Sequence, residues 1–268
     1  MRVIVTRPGP QAAEWVKGLR AAGHDAMALP LIEILGPPDP AAVQAAWRGL
    51  KQYQALMWVS ANAVEHFFAL RPPRPGDAAA PAWDGPRCWA TGPGTVAALR
   101  QAGVPAPWID APKPAAAQFD SEALWQVVGT QLPADARVLI VRGDGDAGAQ
   151  DMAAPGNGVG RDWLATQLQQ HGATVDFVRA YVRRAPQLRG NALAVLQAGA
   201  TDGSVWLFSS SEAVHNLCRM APGLSWRQAR AVATHARIAA AAQAAGFARV
   251  ATARPALADV RASIESLA

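Results

Sequence analysis

An internal duplication is the feature of this sequence that most constrains its fold. The segment RVIVTRPG, residues 2–9, is echoed by RVLIVRGDG, residues 137–145. In both, an aliphatic run leads through an Arg into turn-forming residues, which is typical of a buried parallel strand. Each is followed by an amphipathic helical pattern that ends at Gly23 or Gly172, where a left-handed C-cap is expected. The chain therefore contains the same opening pattern twice.

The duplication continues through two further strand–helix patterns. ALMWVSANAVEHFF at 55–68 corresponds to SVWLFSSSEAVHNL at 204–217, and RCWATGPGTVAALRQAGV at 87–104 corresponds to RAVATHARIAAAAQAAGF at 230–247. Strands that alternate with helices predict a parallel sheet covered on both faces, and two such sets predict two α/β lobes. Ligands of open α/β sheets bind at the carboxyl ends of the strands, so loops from both lobes would line a cleft if the lobes face each other.

The two copies differ in loop length. About 14 residues are inserted after Val141 in the second copy, within RGDGDAGAQDMAAPGNGVG, and this stretch has no periodicity. We expect it to form a mobile loop. The first copy has an expanded Pro-rich loop at residues 71–86.

Composition is typical of a soluble globular protein. Apolar residues make up 51% and charged residues 17% of the chain, and no apolar run reaches membrane-spanning length. The first residues predict a strand rather than a signal peptide, so we expect a cytoplasmic protein. The net charge is +5, yet no Lys/Arg cluster typical of a nucleic-acid-binding tail occurs. Because arginine binds carboxylates in bidentate fashion, a polyanionic small molecule fits this charge at least as well as a nucleic acid does.

Several common kinds of site are not supported. The hydrolase GxSxG and the nucleotide-binding GxxxxGK[ST] and GxGxxG patterns do not occur. Cys88 and Cys218 lie far apart and are expected to be reduced thiols in or near the core. Three aspartates that could suggest a metal lie in the expected mobile loop and are more typical of solvated residues: Asp144, Asp146 and Asp151. His235, at a strand–helix junction, is more typical of a cap or core residue than of a catalyst.

Small hydroxyl residues and glycines concentrate where helices begin after the strands. The set is Thr6, Ser60, Gly94, Thr95, Ser209, Ser210 and Ser211. Each is typical of a capping position when taken alone. Together, exposed helix N-termini in a basic protein favour the binding of a carboxylate or phosphate.

Tyr181 lies in the basic stretch DFVRAYVRRAP and is one of only two tyrosines. It is either a packed strand residue or a proton donor in an anion site. Because side chains alternate along a strand, Arg179 and Arg183 are expected to share its face and Arg184 is not.

The order of these motifs resembles that of the uroporphyrinogen-III synthase family over nearly the whole chain. The residues that carry the resemblance are VIVTRP, LPLIEI, VSANAV, FSSSEAV, GPGTVAAL and GRDWLATQLQQHGATVDFVRAYVR.

The resemblance implies two flavodoxin-like α/β lobes with parallel sheets, joined by a two-stranded connection that the chain crosses twice. One lobe would comprise residues 1–34 and 186–268, and the other residues 38–181. Residues 35–37 and 182–185 would form the connecting strands.

The resemblance also implies a reaction. The family closes linear hydroxymethylbilane into a ring, with loss of the hydroxyl as water and inversion of the last pyrrole, by way of an azafulvenium cation and a spiro pyrrolenine. The substrate carries eight carboxylates, which fits a site of arginines, hydroxyls and backbone N–H groups. The family needs no metal or cofactor. A transient encounter with hydroxymethylbilane synthase and a monomeric state are further expectations.

Family members carry a Tyr at the position of Tyr181, as the proposed proton donor to the departing hydroxyl. The resemblance places Thr95, Ser60 and Ser210 in the substrate site. The predicted binding residues in full are Thr6, Arg7, Ser60, Gly94, Thr95, Arg142, Ser209, Ser210 and Arg237. The turn THARI departs from the family pattern, and Arg237 would there replace hydroxyl contacts with a charged one.

Two other functions remain open at this point. One is a non-enzymatic two-lobe binding protein that closes on a small polycarboxylate or phosphate. The other is a scaffold or regulatory domain without activity. The tyrosine argues partly against the first, because a binding protein has no need of a phenol at the hinge between its lobes.

Overall fold

The computed structural model describes residues 1–73, 83–113, 120–133, 135–145 and 159–267, with the backbone alone for 159–162. The chain divides into two compact units. Unit 1 comprises Met1–Glu33 and Arg184–Ala268, and unit 2 comprises Ile34–Arg183.

Strands and helices alternate along the described chain. In chain order they are β1 (Arg2–Val5), α1 (Gly9–Ala21), β2 (Asp25–Ala28), β3 (Glu33–Leu35), α2 (Pro40–Arg48), β4 (Ala55–Trp58), α3 (Ala61–Ala69), β5 (Arg87–Ala90), α4 (Pro93–Gln101), β6 (Ile109–Asp110), α5 (Ser121–Val128), β7 (Arg137–Gly145), α6 (Val159–Gln170), β8 (Thr174–Arg184), α7 (Asn191–Ala198), β9 (Val205–Phe208), α8 (Ser211–Met220), β10 (Arg230–Ala233), α9 (Ala236–Ala244), β11 (Arg249–Thr252) and α10 (Leu257–Ser266).

Unit 1 contains a five-stranded sheet in the order β2-β1-β9-β10-β11, and every paired strand in it is parallel. Counted along the unit, this is the 2-1-3-4-5 order of a flavodoxin-like fold. The predicted α/β class is confirmed.

Unit 2 repeats this arrangement. Its strands follow the order β8-β7-β4-β5-β6, with β3 added beside β8 to make six. The pairs from β8 to β6 are all parallel. Counted along unit 2 this is 5-4-1-2-3, because β7 and β8, which correspond to β1 and β2, come last in the chain. The two sheets therefore share one spatial arrangement of corresponding strands, as the duplicated sequence patterns predict.

Both faces of the unit 2 sheet are buried. In β4, Leu56 and Trp58 pack into one apolar cluster, while Ala55 and Met57 pack into another. This is why the central strands read as continuous apolar runs rather than as alternating patterns. In unit 1, Val3, Val5, Val205 and Leu207 anchor a corresponding cluster beneath α1 and α10.

The predicted helix ends are confirmed at both glycines. Gly23 and Gly172 have φ values of 85° and 92° and follow α1 and α6. Only glycine adopts this region without a steric cost from Cβ.

Two interpretations of strand length from the sequence are wrong. The mostly apolar stretch AMALPLIEIL, residues 26–35, reads as a single strand after the first helix, but it is split into β2 and β3 on either side of Pro30, which has no N–H to donate to a sheet. Conversely, β7 does not end at Val141. It continues to Gly145, because β8 extends alongside and supplies backbone partners. The rest of the predicted mobile loop, residues 146–158, and most of the Pro-rich loop, residues 74–82, lie outside the described residues.

Among the described helices, none combines the length and the apolar character needed to cross a membrane.

Candidate active site

Ser60 in unit 2 begins the helix that follows the central strand β4. Its Oγ accepts a hydrogen bond from the backbone N–H of Ala63 at 3.2 Å and so caps α3. The backbone of Ser60 is extended, as an N-cap requires. The hydroxyl proton of Ser60 is not used by this capping bond and is available to another acceptor.

Tyr181 reaches the same place from β8. A register shift separates the pairs Arg142–Arg179 and Gly143–Tyr181, so that β8 has one extra residue, Ala180. Tyr181 consequently packs in the same cluster as Val178 and Ala180.

The shift corrects one sequence expectation. Arg179 does not share the face of Tyr181. Its guanidinium binds the Asp144 carboxylate at 2.9 Å on the other side of the strand pair. Strict alternation fails here because the bulged residue reverses the facing of everything after it. Arg183, two residues beyond Tyr181, keeps the face of the tyrosine.

The tyrosine side chain is 2% exposed, and its hydroxyl lies 3.1 Å from Ser60 Oγ. Either oxygen can be the donor in this bond. The Tyr181 ring also stacks against the imidazole of His66 on α3, with 5.9 Å between centroids and 24° between planes. Burial lowers the pKa of His66, and the charge of Glu65 opposes that shift. The imidazole beside the phenol is therefore mainly neutral near pH 7.

Gly94 and Thr95 lie in the first turn of α4, which follows β5. The N-cap of this helix is Gly92, and no side chain of the described residues caps it. Gly94 is exposed, with open space around its Cα, whereas Thr95 is buried. The first turn therefore leaves room for an anion to approach backbone N–H groups.

Arg142, near the end of β7, is partly buried. Its guanidinium lies over the ring of Phe177, 4.7 Å from the centroid. Phe177 is itself 45% exposed. A stacked guanidinium keeps its in-plane N–H groups free for a carboxylate.

Arg7 is the counterpart of Arg142 in unit 1 and lies two residues beyond the end of β1. Its guanidinium lies 4.2 Å from the centroid of the Trp15 ring. Burial lowers the pKa of Arg7, and its Nε has no hydrogen-bond partner among the described residues. A desolvated cation with an unused donor is suited to bind an anion.

Thr6 precedes this arginine, and its position in the structure is internal. The residue is 1% exposed, and its hydroxyl donates to the Leu207 carbonyl at 2.7 Å. It links β1 to β9. Its assignment as a substrate contact stays a prediction.

The serine run of unit 1 begins α8 in the same way that Ser60 begins α3. Ser210 Oγ accepts from the N–H of Glu212 at 3.1 Å. Ser209 is partly buried. Ser211 is buried, and its Oγ has no hydrogen-bond partner among the described residues.

His235 caps α9, since its Nδ1 accepts from the backbone N–H of Arg237 at 3.1 Å. The interpretation of His235 as a cap is confirmed. Arg237 is exposed in the first turn of the same helix.

The cysteines are free, as the sequence predicts. Burial raises the pKa of Cys88 to about 12, so its thiol is unreactive at neutral pH. Among the described residues, no cluster of His, Cys, Asp or Glu side chains is arranged to hold a metal ion. Asp146 and Asp151 lie outside the described residues.

Sequence reasoning missed three residues that shape these sites: His66, Gly143 and Trp15. His66 and Trp15 read as ordinary members of amphipathic helices. Gly143 could have been noticed from the sequence, because the duplicated motif has Gly143 where its first copy has Pro8.

These features together define a class: an α/β protein of two flavodoxin-like units whose strand ends present helix N-termini, stacked arginines and a buried phenol. The family model described as uroporphyrinogen-III synthase HemD matches residues 13–260. The uroporphyrinogen-III synthase of Salmonella typhimurium is 30% identical over 192 residues, which cover 71% of this chain and 68% of that protein. The chain belongs to the uroporphyrinogen-III synthase family.

Two solved structures resemble the fold. A mutant uroporphyrinogen III synthase from Thermus thermophilus matches with a TM-score of 0.57 and 15% identity, over 100% of this chain and 98% of that one. The uroporphyrinogen-III synthetase of Helicobacter pylori matches with a TM-score of 0.58 and 17% identity, over the full length of both chains. At this identity the likeness concerns the fold alone.

Proposed function

We propose that this chain cyclises hydroxymethylbilane to uroporphyrinogen III, with inversion of the last pyrrole ring and loss of water. Family membership supports the reaction. The observation that carries the assignment of residues is the 3.1 Å contact between the Tyr181 hydroxyl and Ser60 Oγ at the first turn of α3.

Tyr181 is the acid in this proposal. The substrate hydroxyl leaves as water once it has accepted a proton, and the carbon it leaves becomes the azafulvenium cation. The phenol supplies the proton and becomes a phenolate. When the macrocycle closes, a pyrrole carbon releases one proton, which restores the phenol, so the net loss is one water.

Ser60 is placed to stabilise the phenolate. Its Oγ already accepts from the N–H of Ala63, so its own proton can point at Tyr181. A phenolate can only accept, which fixes Ser60 as the donor after proton transfer. The partial positive charge at the N-terminus of α3 acts in the same direction.

Substrate carboxylates are bound by the arginines and helix N-termini of each unit. Arg7, held on Trp15, has lost part of its hydration and gains more from a carboxylate than a fully solvated arginine does. Arg142, held on Phe177, offers a second cation. The N-terminal turns of α4 and α8 add backbone donors around Gly94 and Ser210.

The activity is tested by supplying freshly made hydroxymethylbilane and separating the oxidised uroporphyrin isomers. We expect isomer III in large excess over isomer I, which forms without an enzyme. Formation of isomer I alone, at the rate of the uncatalysed control, would reject the proposed function and would favour a binding protein of the same fold.

A further inference from the structure

Gly143 faces Tyr181 across the β7–β8 pair. The register shift after Arg142 pairs Gly143 with Tyr181 and leaves Ala180 as the extra residue. Without this shift, Gly143 would pair with Ala180, and the tyrosine would face the other side of the sheet.

The Tyr181 ring occupies the space that a side chain at Gly143 would fill. A Cβ on Gly143 would lie 2.6 Å from Cε1 of the ring, and closer still to Cζ and Cε2. These atoms form the hydroxyl-bearing end of the ring. The collision would therefore move the phenol oxygen more than the rest of the tyrosine.

The backbone gives no other reason for a glycine here. Gly143 is not among the residues with positive φ, so alanine can adopt its conformation. Gly145, two residues further along the same strand, has nothing within 4 Å of a built Cβ. The close approach is thus specific to Gly143, and Gly145 provides a matched control.

Two further contacts determine where the phenol oxygen lies. His66 stacks on the ring, and Ser60 Oγ is 3.1 Å from the hydroxyl. His66 lies in α3 and Ser60 is the N-cap of the same helix, whereas Gly143 lies in β7. The hydroxyl reaches Ser60 only if the ring can lie close against the backbone of β7.

We propose that Gly143 is a positioning residue, whose missing side chain lets the Tyr181 ring lie against β7 and brings its hydroxyl to Ser60. This inference rests on the proposed function, since the position of the phenol affects turnover only if the phenol transfers a proton.

Steady-state kinetics on four variants test it: Gly143→Ala, Tyr181→Phe, the double variant, and Gly145→Ala. Because misplacing a reacting group by about 1 Å can cost up to about 10²-fold, we expect Gly143→Ala to lower kcat at least about tenfold with KM within about twofold. In the Tyr181→Phe background, the same substitution should change kcat less than about twofold, because no hydroxyl remains to be misplaced. Gly145→Ala should match the wild type in both constants.

Thermal unfolding separates positioning from stability. The phenylalanine ring meets the same Cβ, so Gly143→Ala should lower Tm by a similar amount in both backgrounds. An equal loss of kcat in both backgrounds, or no loss in either, would overturn the inference. Whether the wild type produces isomer III tests the proposed function separately, so failure of that function and failure of this inference can be told apart.

A second measurement does not need activity. The chain has two tyrosines, so ¹³C labelling of tyrosine gives one ring signal each from Tyr53 and Tyr181. We expect Gly143→Ala to shift the Tyr181 signal and leave that of Tyr53 in place. Two unmoved signals would overturn the inference.

If Gly143→Ala does not fold, the double variant Gly143→Ala/Tyr181→Ala tests whether the Tyr181 ring is the cause. Removing the ring should restore folding, because the space it occupied then accepts the methyl group. A pair that stays unfolded would show that Gly143 serves the backbone and not the tyrosine.

Discussion

The two units diverge most where their first strands end. In unit 1, β1 and β2 have 4 residues each. In unit 2, the corresponding β7 and β8 have 9 and 11. After Arg7 comes Pro8, which is the N-cap of α1 and cannot donate to a sheet. After Arg142 comes Gly143, which continues the strand.

The extended strands give unit 2 a functional group that unit 1 lacks at the same position. The repeat aligns Tyr181 with Ile32, a buried apolar residue beyond the end of β2. When the N-caps Ser60 and Ser210 are aligned, His66 corresponds to Asn216, whose Nδ2 donates to the backbone carbonyl of Leu31 at 2.8 Å. The same helix position therefore contacts the same segment after the second strand in both copies. Asn216 binds the backbone of that segment in unit 1, and His66 stacks on the Tyr181 ring in unit 2. The two copies share the fold, but at this position only the copy in unit 2 carries a phenol.

The largest expected effect is the loss of kcat when the hydroxyl of Tyr181 is removed, because Ile32, the aligned residue of unit 1, has no such group. Tyr181→Phe should lower kcat about 10²-fold, the lower end of what general acid catalysis contributes, because the departing hydroxyl leaves a stabilised cation. The ring stays in its cluster, so unfolding should change little. Rapid-quench kinetics with hydroxymethylbilane and thermal unfolding give the two readouts.

The matched change in unit 1 is Ile32→Val. It removes one buried methylene and should cost about 1 kcal/mol of stability without changing kcat. Equal rates for Tyr181→Phe and the wild type would leave Tyr181 a packing residue like Ile32, and the two units would then be chemically alike at this position.

Sequence periodicity and repeat matching predicted most of the fold. The two α/β units with parallel sheets follow from two sets of alternating strands and helices, and the helix ends follow from Gly23 and Gly172. Strand lengths were less predictable, because they depend on whether a neighbouring strand supplies backbone partners. The residues 142–145 show this: their composition is typical of a loop, yet β8 pairs with them.

The site was predictable in its residue types but less so in its contacts. A Ser in a strand–helix turn predicts an N-cap, and Ser60 and Ser210 are N-caps. The contact between Ser60 and Tyr181 depends on a one-residue register shift, and no sequence pattern predicts that shift. The predicted facing of Arg179 was wrong for the same reason.

A smaller difference is expected between the two capping serines. Ser60→Ala and Ser210→Ala should each lose about 1 kcal/mol of stability with the cap. Ser60→Ala should also lower kcat about tenfold, because a hydrogen bond to a charged group contributes roughly 1.5–3 kcal/mol. Ser210→Ala should raise KM and leave kcat within about twofold, since its helix end is proposed to bind a carboxylate.

The Tyr181→Phe background checks the origin of the rate loss. There, adding Ser60→Ala should cost stability but little further rate, because the two residues act through one hydrogen bond. Independent, multiplying rate losses would contradict the proposed donation from Ser60 to the phenolate.

The smallest expected effect concerns His66 and the dependence of stability on pH. Burial lowers the pKa of His66 in the folded chain below the usual value for histidine of about 6.5. The unfolded chain then binds the proton more readily, so the free energy of unfolding should fall as pH drops through about 6.5 and level off below the folded-state pKa. His66→Asn introduces the residue that unit 1 carries at this position, and it does not titrate. Between about pH 7.5 and 5.5 this variant should lose less Tm than the wild type, by a small margin because the imidazole is partly solvated. Parallel Tm curves for the two proteins would mean that His66 is protonated as easily beside the Tyr181 ring as in the unfolded chain.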